Sequence, residues 1–160
     1  MRTSTVAVLV VVLTGTSLAD EGVRVPPVTD TMVQKECGAC HMVFPPQFLP
    51  QRSWRKLVDG LSEHFGENAS LPDAQRTVVL DALLEQAADG PKGGAAGRKF
   101  ASGIATDATP LRITDTPYWV REHREVRPAK WTDPAVKSKA NCAACHKGAD
   151  RGVYEEDEDD

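Results

Sequence analysis

All four cysteines of this chain are spent in two copies of one five-residue pattern, Cys37-Gly38-Ala39-Cys40-His41 and Cys142-Ala143-Ala144-Cys145-His146. C-x-x-C-H is the attachment signal for a c-type haem. On a short helical turn the two thiols reach the two vinyl groups of one porphyrin, and the adjacent imidazole meets the iron from the same side. Whatever the chain folds into must therefore be built around two large covalent groups. Other uses of paired cysteines account for less. Two disulfides leave His41 and His146 without a role, a four-cysteine zinc site leaves both histidines over, and a thioredoxin-like pair goes with a βαβ pattern that this sequence lacks.

Counting histidines extends the argument. The chain has four, and the two motifs use His41 and His146 as proximal ligands. His64 and His123 remain, one for each iron, and bis-histidine ligation of both is the economical solution. Met42 adjoins the proximal histidine and points from the wrong side, and Met32 is tied to the attachment helix. His41 to His64 and His123 to His146 each span 23 positions, with the motif first in one half and the distal histidine first in the other.

Periodicity predicts helices around these residues. Residues 30–41 read as a short helix carrying the first motif, with Asp30 or Thr31 as cap. Residues 50–65 place Trp54, Leu57, Val58, Leu61 and His64 on one face. Ser70 and Asp73 have capping-box spacing, opening a helix that buries Val79, Leu80, Leu83 and Leu84 and ends near Gly90-Pro91. Thr116-Pro117 predicts a capped helix through Trp119, Val120, His123 and Val126, stopped by Pro128. Phe44, Phe48 and Leu49 are expected to wall the first haem.

The ends carry their own signals. Arg2, an apolar run over residues 6–13 and the small-x-small triplet Ser17-Leu18-Ala19 make residues 1–19 a secretory signal peptide, with cleavage expected after Ala19. The run is too short for a membrane span of about 20 residues, so the mature chain is expected to be exported and to have no span. The glycine-rich stretch over residues 93–97 is the candidate hinge, dividing a first haem lobe (residues 20–92) from a second (residues 98–154). Lobes of about 70 and 60 residues are too small for a comfortable side-chain core, and only 6% of the chain is aromatic. Buried porphyrins supply the missing apolar mass.

Net charge is −4, which gives no reason to expect a nucleic-acid partner. Residues 110–151 nevertheless hold nine basic and five acidic residues, and residues 155–160 are six carboxylates in succession. Both features suit docking of a charged redox partner; a solvated surface and a solubilising tail are the plainer readings.

Longer motifs surround these signals. Cys-Gly-Ala-Cys-His-Met with Phe44-Pro45-Pro46-Gln47, Arg52-Ser53-Trp54 and Glu63-His64-Phe65-Gly66-Glu67-Asn68-Ala69 resembles the bacterial dihaem cytochrome c family known as DHC. In the second half Arg112-Ile113-Thr114, Pro117-Tyr118-Trp119, Arg121-Glu122-His123-Arg124 and Ala140-Asn141-Cys142-Ala143-Ala144-Cys145-His146 agree. The resemblance implies a mostly α protein of two haem-centred lobes. The first would look like a small monohaem cytochrome c and the second like a piece of a multihaem cytochrome. It implies a periplasmic electron carrier with two covalent haem c groups, His41 and His146 as proximal and His64 and His123 as distal ligands. An oxygen-binding monohaem cytochrome is the partner it suggests. Two irons closed by histidine are expected to have low potentials, because axial methionine, which raises potential, is absent. The competing class is a dihaem peroxidase or small-molecule reductase with one iron opening to substrate. Glu63, Glu122 and Glu125 lie near its distal histidines, although Glu63 does not share the helical face of His64.

Overall fold

The computed structural model describes residues 23–154. The signal peptide and the acidic tail therefore lie outside the described residues. Secondary structure is mostly α, in short pieces joined by tight turns.

Helix α1 spans Thr31–Cys37. It starts where the Asp30 carboxylate accepts from the backbone N–H groups of Met32 and Val33, at 3.0 and 2.9 Å, an N-cap of the usual kind. It stops at Gly38, a weak helix former, so the first motif straddles the helix end instead of lying within a helix over residues 30–41.

Helix α2 spans Gln51–Asp59. Pro50 before it has no side-chain acceptor, and the cap comes from a distance: the Asp89 carboxylate accepts from the Gln51 N–H at 2.7 Å. Gly60 ends the helix, with its N–H on the carbonyls of Lys56 and Leu57. A 3-10 turn, Leu61–Glu63, follows. The expected helix to residue 65 is thus cut short, and His64 sits beyond it on non-helical backbone.

Helix α3 spans Asp73–Gln86 and buries Val79, Leu83 and Leu84, with Leu80 half-buried. The Ser70–Asp73 capping box does not form; Asp73 instead pairs with Arg76 one turn on. The helix ends before Gly90 because Ala87 turns extended and Ala88 donates its N–H to the Leu49 carbonyl at 3.0 Å. Helices α1, α2 and α3 close one core around Val33, Leu49, Trp54, Val58, Val79, Leu83, Leu84 and Ala87. The buried Trp54 indole donates to the Pro46 carbonyl at 2.8 Å.

Helix α4, Gly94–Phe100, contains most of the glycine-rich stretch. Here glycine is a packing device. Gly93 and Gly97 are buried, and a Cβ on Gly97 would stand 2.8 Å from Ala88 Cα. Only hydrogen side chains let the start of α4 lie against the end of α3.

Beyond α4 the pieces shorten. Arg52, on α2, reaches across to donate to the carbonyls of Ala108 (2.6 Å) and Ala105 (3.0 Å), which fixes a segment with little pattern of its own. Helix α5, Pro117–Glu122, is capped by Thr116, whose hydroxyl accepts from Trp119 N–H and donates to the Ile113 carbonyl. It stops at His123, short of Val126. Pro128, expected to stop that helix, opens a new one, α6, Pro128–Trp131. Proline fits the first helical position, where a missing N–H costs nothing.

The ends of the described chain meet in a two-stranded antiparallel pair that no sequence pattern announced. Strand β1, Val23–Arg24, lies against β2, Val153–Tyr154. A second core of Val25, Phe48, Phe100 and Tyr118, with Phe44 and Tyr154 packed on it, joins residues from both sides of the glycine-rich stretch.

Gly97→Val is expected to destabilise the protein by about 1–3 kcal/mol through overpacking. The exposed substitution Ala95→Ser should stay within about 0.5 kcal/mol. Thermal unfolding of the two variants checks this.

Candidate haem sites

The first motif leaves the end of α1. Cys37 is half-buried against the main core, while Cys40 and His41 are exposed. The His41 ring stacks on Phe44, centroids 5.0 Å apart. Of the three residues expected to wall this site, only Phe44 lies on the histidine. Leu49 is in the main core and Phe48 in the second one. Met32 packs against the main core.

His64 comes from the turn after α2, and its ring faces His41 at 6.2 Å with 25° between planes. Burial first, then the neighbouring His41 and the Arg112 guanidinium, hold His64 below the ordinary histidine range. A neutral imidazole is the form that ligates metal.

The second motif opens a 3-10 turn, Cys142–Ala144, and His146 donates its N–H to the Cys142 carbonyl at 2.8 Å. Asn141 fixes the approach by donating to the Val136 carbonyl at 3.0 Å. His123 stands at the end of α5, where its ring lies 6.0 Å from that of His146, with planes at 89°. Trp119 stacks on His123 at 4.2 Å and 14°, and Trp131 flanks it at 6.0 Å. Tyr154 touches His146 from the strand pair, ring to ring at 5.6 Å. Burial keeps its phenol protonated, and the hydroxyl donates to the Ala149 carbonyl.

Two tautomers follow from the hydrogen bonds. His41 Nδ1 lies 2.6 Å from the Met42 carbonyl and His123 Nδ1 lies 2.9 Å from the Trp119 carbonyl. A carbonyl oxygen only accepts, so Nδ1 carries the proton and Nε2 presents its lone pair outward.

The spacing tests whether these residues fit an iron. An imidazole nitrogen binds a metal at about 2.0–2.1 Å and sits about 1.1 Å from its ring centre, so two imidazoles on opposite sides of one metal stand about 6.3 Å apart. The centroid separations of the two pairs, 6.2 and 6.0 Å, match that distance. Burial pushes the Cys142 thiol up to about 11 and also raises Cys37. No cluster of three or more metal-binding side chains occurs among the described residues. The interior also holds three side-chain polar atoms, Gln47 Nε2 and Oε1 and Ser53 Oγ, without a partner among the described residues. Buried groups of this kind take a partner from outside the polypeptide, an ordered water or a polar edge of a bound group.

The profile of the dihaem cytochrome c family matches residues 33–154. The chain belongs to the dihaem cytochrome c family. A solved diheme cytochrome c from Rhodobacter sphaeroides is 42% identical, with a TM-score of 0.73 over 81% of this chain and 99% of that one. A second structure, of DHC purified from Rhodobacter sphaeroides, is 41% identical, with a TM-score of 0.66 over 79% and 98%. A diheme cytochrome type c from Shewanella baltica is 28% identical, with a TM-score of 0.62 over 78% and 86%. No curated protein matches the chain. As a dihaem cytochrome c the protein carries two covalently bound haem c groups and passes electrons between redox partners; it is a carrier and not an enzyme. No helix among the described residues is long and apolar enough to cross a membrane.

Of the eight residues that the sequence selected, the structure brings His41 to His64 and His123 to His146. Sequence reasoning missed their surroundings: Trp119 and Trp131 around His123, Tyr154 at His146, and Arg112 beside His64. The i to i+4 spacing of Trp119 and His123 was the one available signal for the stack.

Proposed function

We propose that Cys37, Cys40 and His41 hold one haem and Cys142, Cys145 and His146 the other. His64 and His123 are the sixth ligands, each paired within its own half, and the protein passes single electrons at low potential. The facing of His41 with His64 and of His123 with His146, at 6.2 and 6.0 Å, carries this reading. Haem c supplies a one-electron iron couple when bound. The chain does the rest. Its thiols would hold the haem covalently, and its imidazoles would ligate the iron. The carbonyls of Met42 and Trp119 hold the ring protons away from the iron side. Histidine in place of methionine at the sixth position keeps the potential low.

The signal over residues 1–19 supports a periplasmic location after cleavage behind Ala19. The basic residues of the second half support docking of an acidic redox partner, and an oxygen-binding monohaem cytochrome c is the proposed acceptor. Part of that basic surface is held by Arg121–Glu122 and Arg124–Glu125 pairs. Lys139 lies over Trp119 and Trp131 beside His123.

His64→Ala is expected to open one haem to carbon monoxide in the reduced protein, and His123→Ala the other, while the unaltered protein stays closed. Absorption spectra under carbon monoxide check this. A spectrum unchanged by either substitution contradicts that ligand. Electron transfer to the monohaem acceptor should slow steeply with rising ionic strength, and a stopped-flow rate independent of salt contradicts charge-guided docking.

A further inference from the structure

The turn that carries His64 is held in an unusual way. His64 N–H donates to the Glu67 carbonyl at 2.8 Å and Glu67 N–H returns to the His64 carbonyl at 3.1 Å, closing a two-residue loop of Phe65 and Gly66. Both loop residues have positive φ, 53° and 101°. Glycine takes this conformation freely, but for phenylalanine it is strained. The Phe65 side chain is also 47% exposed, so burial does not hold it there. What lies on it is Arg112, from the other side of the glycine-rich stretch, its guanidinium 4.0 Å from the ring centre. The Phe65 ring in turn stands 4.8 Å from that of His64. Leu111, next to Arg112, joins His64, Phe65 and Glu63 in lining one pocket of about 200 Å³. Segments far apart in sequence thus meet on the distal side of the first site.

We propose that Arg112 is a positioning residue of the first haem site: seated on Phe65, it holds the His64 turn closed and places a fixed positive charge beside the His41–His64 pair. The inference rests on the proposed ligation by His64. Its consequence is electrostatic. Reduction adds one electron from a redox partner and lowers the charge of the site by one, with no bond made or broken. A nearby cation therefore favours the reduced state. Arginine suits the task because its charge is permanent and its plane stacks on an aromatic face.

Spectroelectrochemical titration of the intact dihaem protein tests this with three variants. Arg112→Gln should weaken the electron affinity of one haem by about three- to tenfold, the size expected of a partly screened unit charge at this range, and leave the other unchanged. Arg112→Lys keeps the charge and loses the planar stack. It should hold the potential within about twofold while the reduced first site becomes open to carbon monoxide. His64→Ala identifies which potential belongs to the first haem and independently tests the ligation. If His64→Ala leaves spectra and potentials unaltered, the ligation reading itself fails. If His64→Ala opens one haem but Arg112→Gln moves neither potential, moves both equally, or acts no differently from Arg112→Lys, the assignment to Arg112 is overturned.

Discussion

A metal gripped between two imidazoles fixes their separation to within a few tenths of an ångström, and under the proposed ligation this chain has two such separations to keep. In the first half the task falls to packing. His41 leaves the end of α1 and His64 the turn after α2, and both helices are pressed on α3 through one apolar core. The ring spacing of 6.2 Å follows from where two helices stop. In the second half there is no comparable core, and helices run for only four to seven residues. Local bonds do the work there: the Thr116 cap, the Asn141 bond to Val136, and the stack of Trp119 on His123. That half gains stability from its attachment to the first, through Arg52 and the Phe48–Phe100–Tyr118 cluster.

This arrangement explains why the candidate sites were legible in the sequence and much of the frame was not. Cysteines and histidines declare themselves because the chemistry of attachment fixes their type and spacing. Helix α1 could be read from its cap and attachment motif, α3 from its buried apolar residues, and the start of α5 from its Thr-Pro pair. The ends could not. Whether α2 stops at Gly60 or runs on to His64 depends on where the histidine must stand, a tertiary demand with no local signature. Pro128 shows the same difficulty. A proline stops one helix or starts the next, and the choice is settled by the backbone before it, extended here at Arg127. The Asp89 cap on α2 bridges 38 positions, beyond any window that local pattern can see.

The glycine-rich stretch shows most clearly how composition can mislead. Its residues read as a hinge because glycine frees the backbone, yet Gly93 and Gly97 are buried and let α4 lie against Ala87 and Ala88. The same side-chain absence serves either purpose, and only the neighbour decides which. The two-residue strand pair between the ends of the described chain is a further case. Its four residues carry no readable alternation, yet they bring Tyr154 onto His146.

The two proposed imidazole pairs differ in one respect that a bound iron would register. Their planes are at 25° in the first and 89° in the second. Near-parallel imidazoles donate into the same iron d orbital and split the pair strongly, whereas perpendicular ones leave the two orbitals close in energy. Electron paramagnetic resonance of the fully oxidised protein reads this difference directly. Two low-spin ferric signals of equal intensity are predicted, one rhombic and one highly anisotropic, with no high-spin component. A high-spin signal, or two signals of the same type, would contradict the account of two closed and differently oriented histidine pairs.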